Sequence, residues 1–135
     1  MTRLTPRLAA LMEGADQAIA AAHREMEAGD LDTAAERACV AMLRLAKACL
    51  AIDGLTPGPA SAVCVAYGDH FARGGRMYSA YHRWLLDAAD LRKAGGIEVA
   101  AAIDHGALET ALERAEIFRD AVDRFVRQFG AGEPA

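Results

Sequence analysis

Four histidines, His23, His70, His82 and His105, are the side chains of this sequence best placed to move protons near neutral pH or to hold a metal. They are scattered over different segments. Asp69-His70 and His82 meet only if their two segments pack antiparallel, which gives a metal site or an acid–base pair; isolated surface or core histidines are the commoner arrangement. Asp87 and Asp90 lie three residues apart on one helical face, near Arg83 and Arg92. A solvated ion-pair face is the plain explanation, and a polar pocket around Arg92 is the sharper one. Cys39, Cys49 and Cys64 have no metal-ligand spacing and fall among apolar neighbours, so buried thiols in a reducing cytoplasm are expected. No phosphate loop, dinucleotide fingerprint, paired-histidine zinc motif or nucleophile elbow is present. Gly74-Gly75 and Gly95-Gly96 read as helix stops, and neither a metal nor a cofactor is expected.

The elements that carry these residues are helical. Leu8, Met12, Ala15, Ile19, Ala22 and Met26 recur at steps of four and three, which puts them on one face of a helix opening near Pro6. Gly29-Asp30 ends that helix, and Asp30 or Asp32 caps the next. Leu31, Ala35, Ala38, Met42, Leu45, Cys49 and Ile52 form the second stripe, closed by Asp53-Gly54. So short a connection predicts an antiparallel hairpin. Thr56-Pro57-Gly58-Pro59 breaks the chain, and a shorter helix is predicted from about Ala60 to Arg73. Tyr81, Leu85, Ala88 and Leu91 face one way on the following helix, with Trp84 on its flank. Ile97 to Ile103 is ambiguous between helix and irregular segment. Asp104 caps a last helix whose stripe is Leu108, Ala111, Ala115, Phe118, Val122, Phe125 and Phe129; Glu113, Arg114, Glu116 and Asp120 take its outer face. The reading is all-α: one domain of 135 residues, an antiparallel up-and-down four-helix bundle with a short additional helix, core about 6–129, and a frayed tail over 130–135.

Composition narrows the function classes. Hydrophobic residues make up 53% and charged residues 25%, which is globular rather than disordered. The net charge of −4 offers no general basic face for phosphate neutralisation, though a local pocket of arginines is compatible with it. No run approaches the ~20 apolar residues of a membrane span. The N-terminus lacks the apolar block and cleavage site of a signal peptide, so a cytoplasmic location is expected.

One segment, Glu36-Arg37-Ala38-Cys39-Val40-Ala41-Met42-Leu43-Arg44-Leu45-Ala46-Lys47-Ala48, resembles the second-helix signature of HEPN domains. The order of the remaining pieces is similar too. Gly29-Asp30 precedes that helix, and a Gly-x-x-Phe element, Gly68-Asp69-His70-Phe71, follows the break. A glycine turn leads to a leucine-rich helix ending in Leu91-Arg92. An Ala-x-x-Phe piece, Ala115-Glu116-Ile117-Phe118, lies in the last helix. The likeness runs from about Ala15 to Val126.

That resemblance implies four long helices with a short extra one, dimerised through helix faces. The family includes RNA-cleaving toxins of toxin–antitoxin pairs, nucleotide- or substrate-binding partners of small nucleotidyltransferases, and members without catalysis. Its nuclease members carry an arginine, a polar residue and then a histidine at the end of the fourth helix. A histidine there moves protons and the arginine neutralises phosphate. Arg92 matches the arginine, but Lys93, Ala94, Gly95, Gly96, Ile97 and Glu98 follow it, and the next histidine is His105. Ala94-Gly95-Gly96 replaces the Ala-Asp-Tyr of many members, and Cys39-Val40 replaces an aromatic pair. The resemblance therefore implies a non-catalytic HEPN-like module, homodimeric, that binds a nucleotide or RNA phosphate through Arg37 and Arg92 or pairs with a small nucleotidyltransferase. The alternative is a ribonuclease toxin in which His105 folds back toward Arg92 as a displaced catalytic histidine.

Overall fold

The computed structural model describes residues 2–96 and 103–134. Helix α1 (Pro6–Glu27) begins where Thr5 caps it, its Oγ1 accepting from the Leu8 amide at 3.2 Å. Helix α2 (Leu31–Ile52) begins at Asp30, whose carboxylate accepts from the Thr33 amide at 3.1 Å; the Thr33 side chain and then its amide hold the Asp30 carboxyl below its ordinary value. Gly29 and Gly54 take the positive φ that ends each helix without a Cβ penalty. Helix α3 (Ala60–Tyr67) follows the proline break, α4 spans Ala80–Gly96, and α5 (His105–Phe129) is capped by Asp104. The fold is the expected all-α bundle of four long helices and one short helix.

Helix α2 is the centre of the packing and touches α1, α3, α4 and α5. Its buried face is largely small: Ala34, Ala35, Ala38, Ala41, Ala46 and Ala48 are closed off from solvent, as are Ala15 and Ala22 of α1. Large side chains enter from the other helices, with Phe118 and Leu112 from α5 and Leu85 from α4 filling what alanine leaves open. An ion pair and a hydrogen bond fasten α1 to α5. Arg119 grips Asp16 at 2.8 and 3.1 Å, and His23 meets Glu116 at 2.8 Å.

Three expectations change. The stretch from Ala60 to Arg73 is not one α-helix, because after Tyr67 it widens into a π-helical turn over Gly68–Ala72, with the Arg73 amide bonding to the Gly68 carbonyl at 2.9 Å. The wider turn stacks Phe71 on Tyr67, centroids 5.5 Å apart, and both rings are fully buried. The tail does not fray: Ala131–Pro134 pairs antiparallel with Thr2–Leu4 as a two-stranded ribbon of β1 (Thr2–Leu4) and β2 (Ala131–Pro134). Gly130 turns the chain into that ribbon where a Cβ would meet the Val126 carbonyl oxygen at 2.7 Å and Leu8 at 2.8 Å. Finally, Phe129 is exposed although it lies on the α5 stripe, while Leu112 and Val126, off that stripe, are buried. The ambiguous stretch Ile97 to Ile103 lies outside the described residues except for Ile103, which is buried and not helical. Among the described residues, no helix is long and apolar enough to cross a membrane.

Candidate functional site

The residues that the sequence marks for phosphate chemistry come from three helices. Arg92, exposed near the end of α4, lies near enough to Cys39 of α2 for its charge to act on the thiol. Burial nevertheless pushes the Cys39 thiol up, outweighing the guanidinium that favours the thiolate. Arg37 is exposed on α2 two residues before Cys39, which on a 3.6-residue helix is about 200° away, so it points to the opposite side. His105 opens α5, and its Nδ1 lies 2.6 Å from Glu109 one turn along the same helix. Arg37 therefore faces away from the side that carries Cys39, whereas Arg92 and His105 lie at the same end of the α4–α5 pair, where Leu91 and Ala107 line one groove.

The other histidines are also separately engaged. His70 stands 3.8 Å from Asp53, and His82 lies 3.1 Å from the Cys64 carbonyl oxygen. The ring of His82 occupies the space where Gly68 lacks a side chain; a Cβ on Gly68 would come within 2.7 Å of it. His70 and His82 consequently do not pair, because His82 is held at the backbone of α3 while His70 turns to the end of α2; Asp69 does share the α3–α4 hollow with His82. Among the described residues, no group of three or more His, Cys, Asp or Glu side chains converges as metal ligands. The three cysteines are buried thiols. Cys49 and the Tyr67 hydroxyl both donate weakly to the Met77 sulfur at 3.7 Å, and burial pushes the Cys49 thiol up to about 12.

The sharper cluster lies on the Asp87–Asp90 face, for which the sequence offered an ion-pair face or a polar pocket around Arg92; Arg92 is not among the residues that line it. Helices α4 and α5 splay to leave a groove of about 400 Å³. Trp84 and Asp87 stand at one end and Asp90 and Leu91 at the other, while α5 contributes Ala107, Thr110, Ala111 and Arg114. Arg114 does not face outward as its place in the sequence suggests. It donates to Asp87 at 3.1 Å and lies over the Trp84 ring, 5.4 Å from the centroid. Arg83 approaches the same carboxylate at 3.6 Å. Tyr78 and Tyr81 extend the aromatic surface, each edge-on to the next ring toward Trp84 at 5.3 and 5.2 Å. A second, more open hollow of about 620 Å³ lies between α3 and α4, beside Cys64, Arg73 and His82. The groove joins small apolar side chains to carboxylates, a combination suited to apolar and cationic groups rather than to phosphate. Its one signal in the sequence was the Asp87–Asp90 spacing; its α5 wall depends on how two distant helices are rotated.

No family model matches the chain. A curated protein of Gloeobacter violaceus (strain ATCC 29082 / PCC 7421), UPF0332 protein glr0978, is 33% identical over 92 residues, which cover 68% of this chain and 73% of that protein. An identity of that level over most of both proteins accompanies the helical architecture seen here. The chain belongs to the UPF0332 family.

Proposed function

We propose that this protein is a HEPN-type helical module without nuclease chemistry, acting by pairing, as a homodimer and with a second protein such as a small nucleotidyltransferase. The order of signature pieces from Gly29-Asp30 to Ala115-Glu116-Ile117-Phe118 supports the HEPN assignment, and a family relative named UPF0332 accompanies it. The observation that carries the non-catalytic reading is that no histidine follows Arg92 at the motif's spacing, the next being His105. The His105 ring is itself engaged by Glu109 on its own helix. General acid–base help is typically worth ~10²–10⁴-fold, so an arginine without it gives slow cleavage at best. Pairing is favoured over phosphate binding within one chain because Arg37 and Arg92 lie on different sides of α2.

The test is incubation of the purified chain with mixed single-stranded RNA beside the Arg92→Ala and His105→Ala variants, with light scattering on the same preparations. No cleavage by any of the three, and a dimer at micromolar concentration, are the expected results. Degradation by the wild type that both variants abolish establishes the toxin alternative instead.

A further inference from the structure

The α4–α5 groove already holds one cation of the chain's own. The Arg114 guanidinium lies between the Trp84 face and the Asp87 carboxylate, 5.4 Å from the ring centroid and 3.1 Å from the acid oxygen. Three residues further along α4, Asp90 offers a second carboxylate on the same lip. Asp90 is exposed, and among the described residues no cation pairs with it. The wall between them is low, because Ala107 and Ala111 of α5 leave room where larger side chains would close the helices together. A furrow between two helices, floored by small residues, is the shape into which the ridge of a third helix packs.

We infer that this groove docks an amphipathic helix of a partner protein, seating an apolar anchor against Ala107 and Ala111 and setting an arginine of that helix on Asp90. The inference deepens the pairing role proposed above and rests on it. Arginine is the cation specified because the groove's own arrangement already matches a planar guanidinium to a carboxylate and a ring. A second copy of this chain supplies no free cation: in an isologous contact through this groove Asp90 would face a lip whose arginines, Arg83 and Arg114, are already turned to Asp87.

Trp84 is the single tryptophan of the chain and stands in the groove, so its emission reads occupancy directly. The probe is a synthetic alanine-based helix with leucines at helical spacing and one arginine beside them, compared with a twin carrying glutamate in place of the arginine. The arginine helix is expected to change Trp84 emission saturably. Asp90→Lys should weaken that binding about tenfold, the loss typical of removing a charge-assisted hydrogen bond, and should favour the glutamate twin. Ala111→Phe, which fills the groove, should block both peptides; circular dichroism checks that each variant folds. Equal binding of the twins, indifference to Asp90→Lys, or no binding of either peptide overturns the inference. So does Trp84 emission that changes with protein concentration alone and tracks a dimer abolished by Ala111→Phe, since the occupant is then a second copy. Failure here without RNA cleavage sinks the groove and leaves the non-catalytic reading intact; RNA cleavage sinks that reading whatever the groove binds.

Discussion

Arg76 closes on Asp53 with both arms of its guanidinium, Nη1 donating to Oδ2 at 2.7 Å and Nη2 to Oδ1 at 3.1 Å. The same Nη1 donates to the His70 carbonyl at 3.2 Å, and the guanidinium lies over Phe71, 4.3 Å from its centroid. One side chain thus ties the end of α2 to the π-helical turn and covers the aromatic cluster beneath it. Both partners keep some solvent contact, so screening reduces the ion-pair share, while the ring contact persists. Arg76→Ala should therefore lower unfolding free energy by about 1–2 kcal/mol in urea titration. Arg76→Lys should recover only part, since a point charge lacks the fork. A loss no larger than that of an exposed control such as Arg73→Ala would falsify the clamp.

The same pair gives an acid signature. The hydrogen bond from Arg76, with its charge adding to the effect, holds the Asp53 carboxyl below its ordinary value. A depressed folded-state value means that the stabilisation is complete above the unfolded carboxylate range and is lost as pH falls through the lower folded value. The stability difference between wild type and Arg76→Ala should be constant near neutrality and shrink below about pH 4. Urea midpoints measured from neutral to acid pH check this; a difference that grows toward acid contradicts it.

Gly68 and His82 form a second testable pair. Alanine ordinarily stabilises a helical position over glycine by ~1 kcal/mol. Here its Cβ would displace the His82 ring from the Cys64 carbonyl, so Gly68→Ala should destabilise by about 1 kcal/mol. In a His82→Ala background the same change should become neutral or stabilising. A double-mutant cycle without coupling would show that the ring moves aside freely.

Cys49 should resist alkylation. With its thiol pushed up to about 12 by burial, the thiolate is scarce at neutral pH and the sulfur is closed off from reagent. Brief iodoacetamide treatment followed by peptide mass mapping should leave Cys49 unmodified in the native chain and modify it in urea. Equal labelling in both conditions would show that the core opens around it.

The helices were legible because their stripes are local. Leu8 to Met26 and Leu31 to Ile52 each repeat at helical spacing, and Gly29-Asp30 and Asp53-Gly54 punctuate them. What stayed hidden depends on distant partners. The π-helical turn accommodates a His82 ring that arrives from the next helix, and the Arg76 clamp joins residues that no short pattern links. Arg114 reads as an outer-face residue until α4 brings Trp84 and Asp87 beneath it. Arg37 and Arg92 could be matched to a family pattern, but the sequence carries no measure of the rotation that sets them on different sides of α2.

The alanine seam between α1 and α2 has a kinetic consequence. Ala22, Ala34, Ala35 and Ala38 meet close to the short turn at Gly29, so the first long contacts to form join residues only modestly separated along the chain. Alanine has no rotamers to freeze, and the loop to be closed is among the shortest in the molecule. This hairpin is therefore the cheapest nucleus available to the folding chain. Substitutions at Ala35 should slow refolding, whereas those at Phe118, which arrives with the last helix, should mainly hasten unfolding.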